Sequence, residues 1–250
     1  MGASKRYKGK DCAYCRGLRI SETNDHVVPR AFFLDDDRAA GLTLPQVPAC
    51  AACNNEKSKL EEYASSMLLA GTEHVDAERY RLEKVRPRLQ RNAKLRAELR
   101  LDRDPEWVRI NGVLQKMHMI SLQPEKLSKL LEFIVLGLYR YHLGKPLLAG
   151  WRAQAQMIAP ENEHVFLSGL SPDFPPGCWT IEQDLGRGAF TYWGIQSAVN
   201  EWFSIWAMSL HGTRLYGEGA SANRWWCVTR PTEELVAETK ADDQERDLPP

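Results

Sequence analysis

The stretch "NDHVVPR", residues 24–30, decides how this chain is read. An acid stands directly before a histidine; two β-branched residues and a proline follow. A strand running into a turn accounts for every letter. So does a reactive site. The choice rests on the flanks, "CAYC" at 12–15 and "CAACNNEKS" at 50–58.

The six cysteines fall into two classes. Cys12, Cys15, Cys50 and Cys53 form two Cys-x-x-Cys pairs, with 34 residues between Cys15 and Cys50. Each pair can present two thiolates from one tight knuckle. Two knuckles close a tetrahedral Zn²⁺ site with Zn–S distances near ~2.3 Å. The surrounding segment has few large apolar side chains, so it needs such a staple. A redox centre would need a thioredoxin-like βαβ context and would not come twice. Cys178 and Cys227 are solitary and read as small buried apolar residues.

Taken alone, Asp25–His26 is ambiguous, because a single histidine at a strand end is usually structural. Asn54 alone reads as a helix N-cap. Together they say more. A zinc clamp would bring the strand region to the start of the helix, and so Asp25 and His26 towards Asn54. A carboxylate and an amide oxygen are hard ligands suited to Mg²⁺. Adjacent strand residues point to opposite sides. If Asp25 binds the metal, His26 remains available as a base.

In "CAYC…NDHVVPR…VPACAACNNEKS", residues 10–60, the sequence resembles the HNH, or ββα-metal, nuclease family, in the subgroup built round a four-cysteine zinc. The resemblance implies a metal-dependent endonuclease that hydrolyses DNA phosphodiester bonds, in a setting such as restriction or phage defence. It implies His26 as general base, Asp25 and Asn54 as ligands of a catalytic Mg²⁺ or Mn²⁺, and Cys12, Cys15, Cys50 and Cys53 as ligands of a structural Zn²⁺. The family carries a middle Asn or His that orients the base. None stands between His26 and Cys50, so Gln46 or a backbone carbonyl is expected in that role. Lys57 and Arg30 are either contacts to a neighbouring phosphate or solvated charges. The alternative function is a non-catalytic zinc-containing module that binds nucleic acid or protein. RNA stays open as a substrate.

The rest of the 250-residue chain differs in composition. All eight tryptophans lie beyond residue 100. The expected fold class is α+β. Residues 1–75 form the zinc-stapled ββα-metal nuclease module, and 76–120 a basic helical connector. Residues 121–235 form a Trp-rich domain of a helix and an antiparallel sheet, and 236–250 an acidic disordered tail. Within the first module, a helix is expected over Leu60, Ala64, Met67 and Leu68, capped at Gly71. Residues 124–144 predict a strong helix with Leu127, Leu130, Leu131, Ile134 and Leu138 on one face. Strands are expected at "HVFLSGL", "CWTIEQDLG", "AFTYWGIQSAV", "EWFSIWAMSL", "RLYGE" and "RWWCVT".

Charge is unevenly spread. The formal net charge is zero, which argues against a protein that coats nucleic acid non-specifically. Yet Arg79 to Arg103 holds ten Lys or Arg against three acids. That run could track a DNA backbone, with Arg88, Arg91 and Lys94 as candidate contacts; a solvated helix face is the plainer reading. The tryptophans read mainly as core. A homodimer contact or a regulatory protein partner is the expected use of the C-terminal domain. No apolar run approaches the ~20 residues of a membrane span and the N-terminus is basic without an apolar stretch behind it, so no membrane association and a cytoplasmic location are expected.

Overall fold

The computed structural model describes residues 6–36, 41–67, 76–110, 112–117, 123–158, 160–210 and 225–236. The fold is α+β, with three sheets among the described residues. Strands β1 (Thr23–His26) and β2 (Gln46–Ala49) form a two-stranded antiparallel ribbon. Its register sets Asn24 opposite Pro48, Asp25 opposite Val47 and His26 opposite Gln46. Helix α1 (Ala51–Met67) starts immediately after Cys50. The chain thus runs ribbon to helix as the ββα reading requires. Asn54 lies inside the first turn of α1, not at its cap. Tyr63, Ala64 and Met67 of α1 are buried, while the expected Leu68 and the cap at Gly71 lie outside the described residues.

The connector is more varied than a helical run. Short helices α2 (Ala77–Tyr80), α3 (Arg86–Arg91) and α4 (Ala93–Glu98) are joined by a π-helical turn over Arg81–Val85. Pro87 stands in the first turn of α3, where its missing N–H costs nothing. The Asn92 side chain accepts from Leu95 N at 2.9 Å and caps α4. Then β3 (Glu106–Ile110) and β4 (Val113–Met117) form an antiparallel hairpin, which corrects the all-helical expectation. The β-branched and aromatic residues Trp107, Val108, Ile110 and Val113 on either side of "NG" are the cue, and the basic run upstream masks it.

Helix α5 (Pro124–Leu143) is the central beam. Pro124 opens it; Gly144, at φ 74°, closes it in the left-handed conformation that glycine tolerates. Beyond the predicted leucine face, Phe133, Val135 and Tyr139 are also buried. A helix buried on nearly all sides belongs to the interior. One side of α5 meets α1 and β2, and the other meets the large sheet. Gly137 permits the closest approach: a Cβ there would lie 2.8 Å from Val27 Cγ1. Val27 follows His26 directly, so α5 buttresses the end of β1.

The large sheet contains β5 (Trp151–Met157), β6 (Trp179–Leu185), β7 (Phe190–Gln196), β8 (Ser204–Leu210) and β9 (Trp225–Pro231), in spatial order β5-β9-β8-β7-β6. All its pairings are antiparallel. The expected strand "HVFLSGL" is instead helix α6 (Glu163–Leu170). Phe166 and Leu170, one turn apart, pack onto the sheet; in so short a window the aromatic and β-branched content hides that spacing. "RLYGE" and the acidic tail from 237 lie outside the described residues. Cys227 is buried as expected, whereas Cys178 is only half-buried.

One cluster of buried side chains runs from Cys12, Val27 and Tyr63 through Leu130 and Ile134 to Phe190, Trp206 and Trp225. The zinc-knuckle region and the sheet therefore share one apolar core. None of the described helices is long and apolar enough to cross a membrane.

Candidate metal centre and active site

The four cysteine sulfurs lie within 4.8 Å of one another. A tetrahedral zinc with bonds near ~2.3 Å needs sulfurs about 3.8 Å apart, so the cluster has the right size. The first knuckle is formed by local geometry. Arg16 and Gly17 have φ of 57° and 80°. The Gly17 N–H donates to Cys12 O at 3.1 Å, and the Leu18 N–H to Cys15 O at 3.1 Å. The second knuckle is the junction of β2 and α1. There the Cys50 N–H donates to Cys12 Sγ at 3.3 Å, tying one knuckle to the other. Burial raises the Cys15 and Cys53 thiols above their ordinary range, and neighbouring sulfurs raise them further. Four crowded sulfurs of this kind suit a cation that takes all four as thiolates. A metal held there would tie the first knuckle to the junction of β2 and α1.

The ribbon has two chemically different sides, because strand residues alternate. On one side stand Asn24, His26 and Gln46. Gln46 Nε2 lies 3.0 Å from His26 Nε2, and Asn24 Nδ2 donates to Gln46 Oε1 at 2.8 Å. Gln46 faces His26 directly across the ribbon. Rotating both amides by 180° preserves the same pairings. In that arrangement His26 Nε2–H donates to the Gln46 oxygen, and Nδ1 becomes the unprotonated ring nitrogen.

On the other side Asp25 meets α1. The Tyr14 hydroxyl, from inside the first knuckle, donates to Asp25 Oδ2. Lys57 Nζ lies 2.8 Å from the same oxygen. It also donates to His26 O at 2.7 Å and to Glu61 Oε1. An ammonium has three N–H donors, and here all three have acceptors. This corrects the expectation for Lys57: it is 1% exposed, so it neither faces a phosphate nor sits in solvent. A lone buried ammonium would be costly, and its two carboxylate partners offset that cost. Burial, then Asp25, pushes the Tyr14 hydroxyl well above its ordinary value, so it stays protonated and donates. Burial raises the Glu61 carboxyl, with Lys57 opposing.

Asn54, Lys57 and Glu61, spaced i, i+3 and i+7, share one face of α1. Asn54 is half-buried one turn ahead of Lys57. No side-chain hydrogen bond joins it to Asp25 among the described residues. Both donors on Asp25 fall on Oδ2, so Oδ1 is the oxygen on which a cation could be seated. With Lys57 charged and both acids ionised, Asp25, Lys57 and Glu61 sum to one negative charge. Asp25 Oδ1 and the Asn54 amide oxygen are hard donors, and Tyr14 and Lys57 fix the Asp25 carboxylate. Arg30 is exposed and opens a 3₁₀ turn, Arg30–Phe32, four residues after His26.

Part of the basic run is committed within the chain. Arg88 donates to Ser65 Oγ and, at 3.2 Å, to Ser66 Oγ. Arg79 pairs with Asp36 at 2.5 Å and Glu83 at 2.8 Å, and Lys84 pairs with Asp35 at 2.5 Å. Arg91 and Lys94 are exposed. The Arg91 Nε–H donates to Pro87 O at 3.0 Å.

Sequence reading does not single out Tyr14, Glu61 or Asn24. Each has a cue. Glu61 follows Lys57 by four residues, Asn24 shares the side of His26, and Tyr14 sits inside the knuckle that the clamp folds onto β1. Compared with known proteins, the chain matches no family model, no curated protein and no solved structure.

Proposed function

We propose that this protein is a metal-dependent endonuclease of the HNH type that hydrolyses DNA phosphodiester bonds. The observation that carries the reading is a histidine held by Gln46 on a ribbon with the four-cysteine cluster at its α1 end and Asp25 beside the histidine. His26, in the arrangement with Nδ1 unprotonated, takes a proton from water. A neutral imidazole suits that step. The hydroxide adds to phosphorus, the P–O bond to the leaving 3′ oxygen breaks, and water protonates that oxygen. Gln46, steadied by Asn24, holds the ring during the transfer. Asp25 Oδ1 and the Asn54 amide oxygen would hold a Mg²⁺ or Mn²⁺ ion, which when bound supplies charge stabilisation at the phosphate. Tyr14 and Lys57 keep Asp25 aimed. Exposed Arg30 would meet a neighbouring phosphate. Restriction or phage defence is the setting this activity suggests.

The test is a digest of plasmid, linear and single-stranded DNA, and of RNA, with Mg²⁺, with Mn²⁺ and with EDTA. Cleavage that needs the divalent ion and His26 supports the reading; equal cleavage by His26→Ala overturns it. One observation favours a second reading. Lys57 already neutralises Asp25, and that arrangement also serves a zinc module that binds nucleic acid without cutting. Such a module would bind in EDTA and cut under none of these conditions.

A further inference from the structure

On the α6 side of the large sheet, a cavity of about 260 Å³ is lined by Leu167, Glu182, Thr191, Trp193, Ser209 and Trp226, above Ala207. It follows from strand register. Glu182 pairs with Trp193, Trp193 with Ala207, and Ala207 with Trp226, so four strands place these side chains in one cross-sheet row. The small Ala207 side chain lets the two indoles lean over it and meet edge to face. The next row on the same side carries Thr191 opposite Ser209. The cavity thus has one indole wall, Trp193, and a polar rim; Trp226 is buried beneath Phe166 of α6, with ring centroids 5.4 Å apart. The indole planes of Trp193 and Trp226 meet at 73°, with centroids 6.4 Å apart. Leu167 closes one side from α6. Among the described residues, the Glu182 carboxylate and the Thr191 and Ser209 hydroxyls make no side-chain hydrogen bond or ion pair within the chain. The proposed nuclease site uses none of these residues.

We propose that this cavity is a binding site for one unstacked nucleobase bearing an exocyclic amino group. An indole offers a face for stacking, and the two hydroxyls can donate to or accept from a base edge. The Glu182 carboxylate accepts from an amino group, as acids do when they read cytosine. An alkylammonium ion would use the indole and the acid but leave both hydroxyls without a task. The hydroxyl row is what favours a base. As a base-reading subsite in the half of the chain distant in sequence from His26, it extends the nuclease reading, because it would let the protein choose where it cuts.

The test uses nucleosides, which have no phosphate and are not substrates. The full-length protein is titrated with deoxycytidine, deoxyadenosine, deoxyguanosine and thymidine while tryptophan fluorescence is read. At least one amino-bearing nucleoside should bind saturably, with a dissociation constant on the order of 1–10 mM. Thymidine should bind about tenfold more weakly. Glu182→Gln, at an exposed position, should remove most of that preference, and Thr191→Val should weaken binding of all four. Ala207→Leu should fill the cavity and abolish binding; if it fails to fold, the two rim variants decide. His26→Ala should bind nucleosides like the wild type, so loss of cleavage and loss of base binding are read separately. Equal binding by Glu182→Gln and Thr191→Val overturns the proposal. So does the absence of saturable nucleoside binding, including the case in which tetramethylammonium binds instead.

Discussion

The β1–β2 ribbon and the five-stranded sheet are both antiparallel, yet they are held in different ways. The ribbon is four residues long on each strand. A two-stranded ribbon of that length is not stable alone in water. It is held by the buried Lys57 ammonium and one face of α5, and the four-cysteine cluster stands at its α1 end. The sheet needs none of this. Trp206, Trp225, Trp226 and Cys227 are buried within it, and its strands pair over their full length. The proposed chemistry sits on the element that cannot stand by itself, and the self-sufficient element supplies the anchor. Local stability should therefore be uneven even though the apolar core is continuous.

Removing the metal should expose this contrast most strongly. Protein purified without added metal should contain about one zinc per chain. Cys12→Ser should release it, with a loss on the scale of ~10 kcal/mol of apparent binding energy for a structural zinc. Amide exchange would then show reduced protection at 23–26 and 46–49 and retained protection in β7, β8 and β9. Full protection of the ribbon without zinc would mean that packing against α5 suffices.

The next largest effect belongs to His26. His26→Ala should lower cleavage by about 10² to 10⁴, the usual worth of a positioned base, with zinc content and fold unchanged. Gln46→Leu should give a smaller loss and shift the pH profile, because it removes the hydrogen bond that fixes the ring. Asp25→Ala and Asn54→Ala should weaken divalent-ion dependence instead, and high Mn²⁺ should restore part of the Asn54→Ala loss. Full activity in His26→Ala would reduce "NDHVVPR" to a strand ending in a turn.

Lys57 tests the inner side of the ribbon. Lys57→Met leaves Asp25 and Glu61 facing each other without a cation. Removing one partner of a buried ion pair costs roughly 3–5 kcal/mol, read as a fall in denaturant midpoint at pH 7. The sign of the pH effect at Glu61 is also set. Its folded-state pKa is raised, so the folded chain favours the protonated acid more than the unfolded chain does. This group's contribution to stability is therefore best below the ordinary carboxylate range and declines as pH rises through the raised value. Glu61→Gln should flatten that decline in thermal midpoints measured from pH 4 to pH 8.

How far the sequence reveals each region follows from the same contrast. The sulfur ligands announce themselves by spacing, and α5 by its caps and leucines. Gln46 is legible only as a polar residue where an orienter is needed. Lys57 is not legible at all, because a lysine on a helix is ordinarily solvated, and only the fold of the first knuckle brings Tyr14 and Asp25 to it. β5 gives no signal, since "WRAQAQM" places Ala153 and Ala155 on its inner side, and alanine carries no strand signature. The α6 segment reads as a strand because eight residues are too few for a helical period to outweigh aromatic content.

The smallest expected effect separates the two kinds of charge in the connector. Arg88 is held by Ser65 and Ser66, so Arg88→Ala should lower stability by about 1–2 kcal/mol, the worth of those hydrogen bonds, and leave DNA binding nearly unchanged. Arg91 and Lys94 point the other way. They are exposed, so replacing both with Ala should cost little stability. If they track phosphates, the double variant should weaken binding about equally across sequences, and the slope of log affinity against log salt should fall by about one for each phosphate no longer neutralised. Fluorescence anisotropy with one labelled duplex over a salt series, beside a thermal melt of each variant, would place all three residues. An unchanged slope in the Arg91→Ala, Lys94→Ala protein would assign this run to the solvated faces that basic helices usually present, and DNA binding would then rest on the ribbon, Arg30 and the sheet alone.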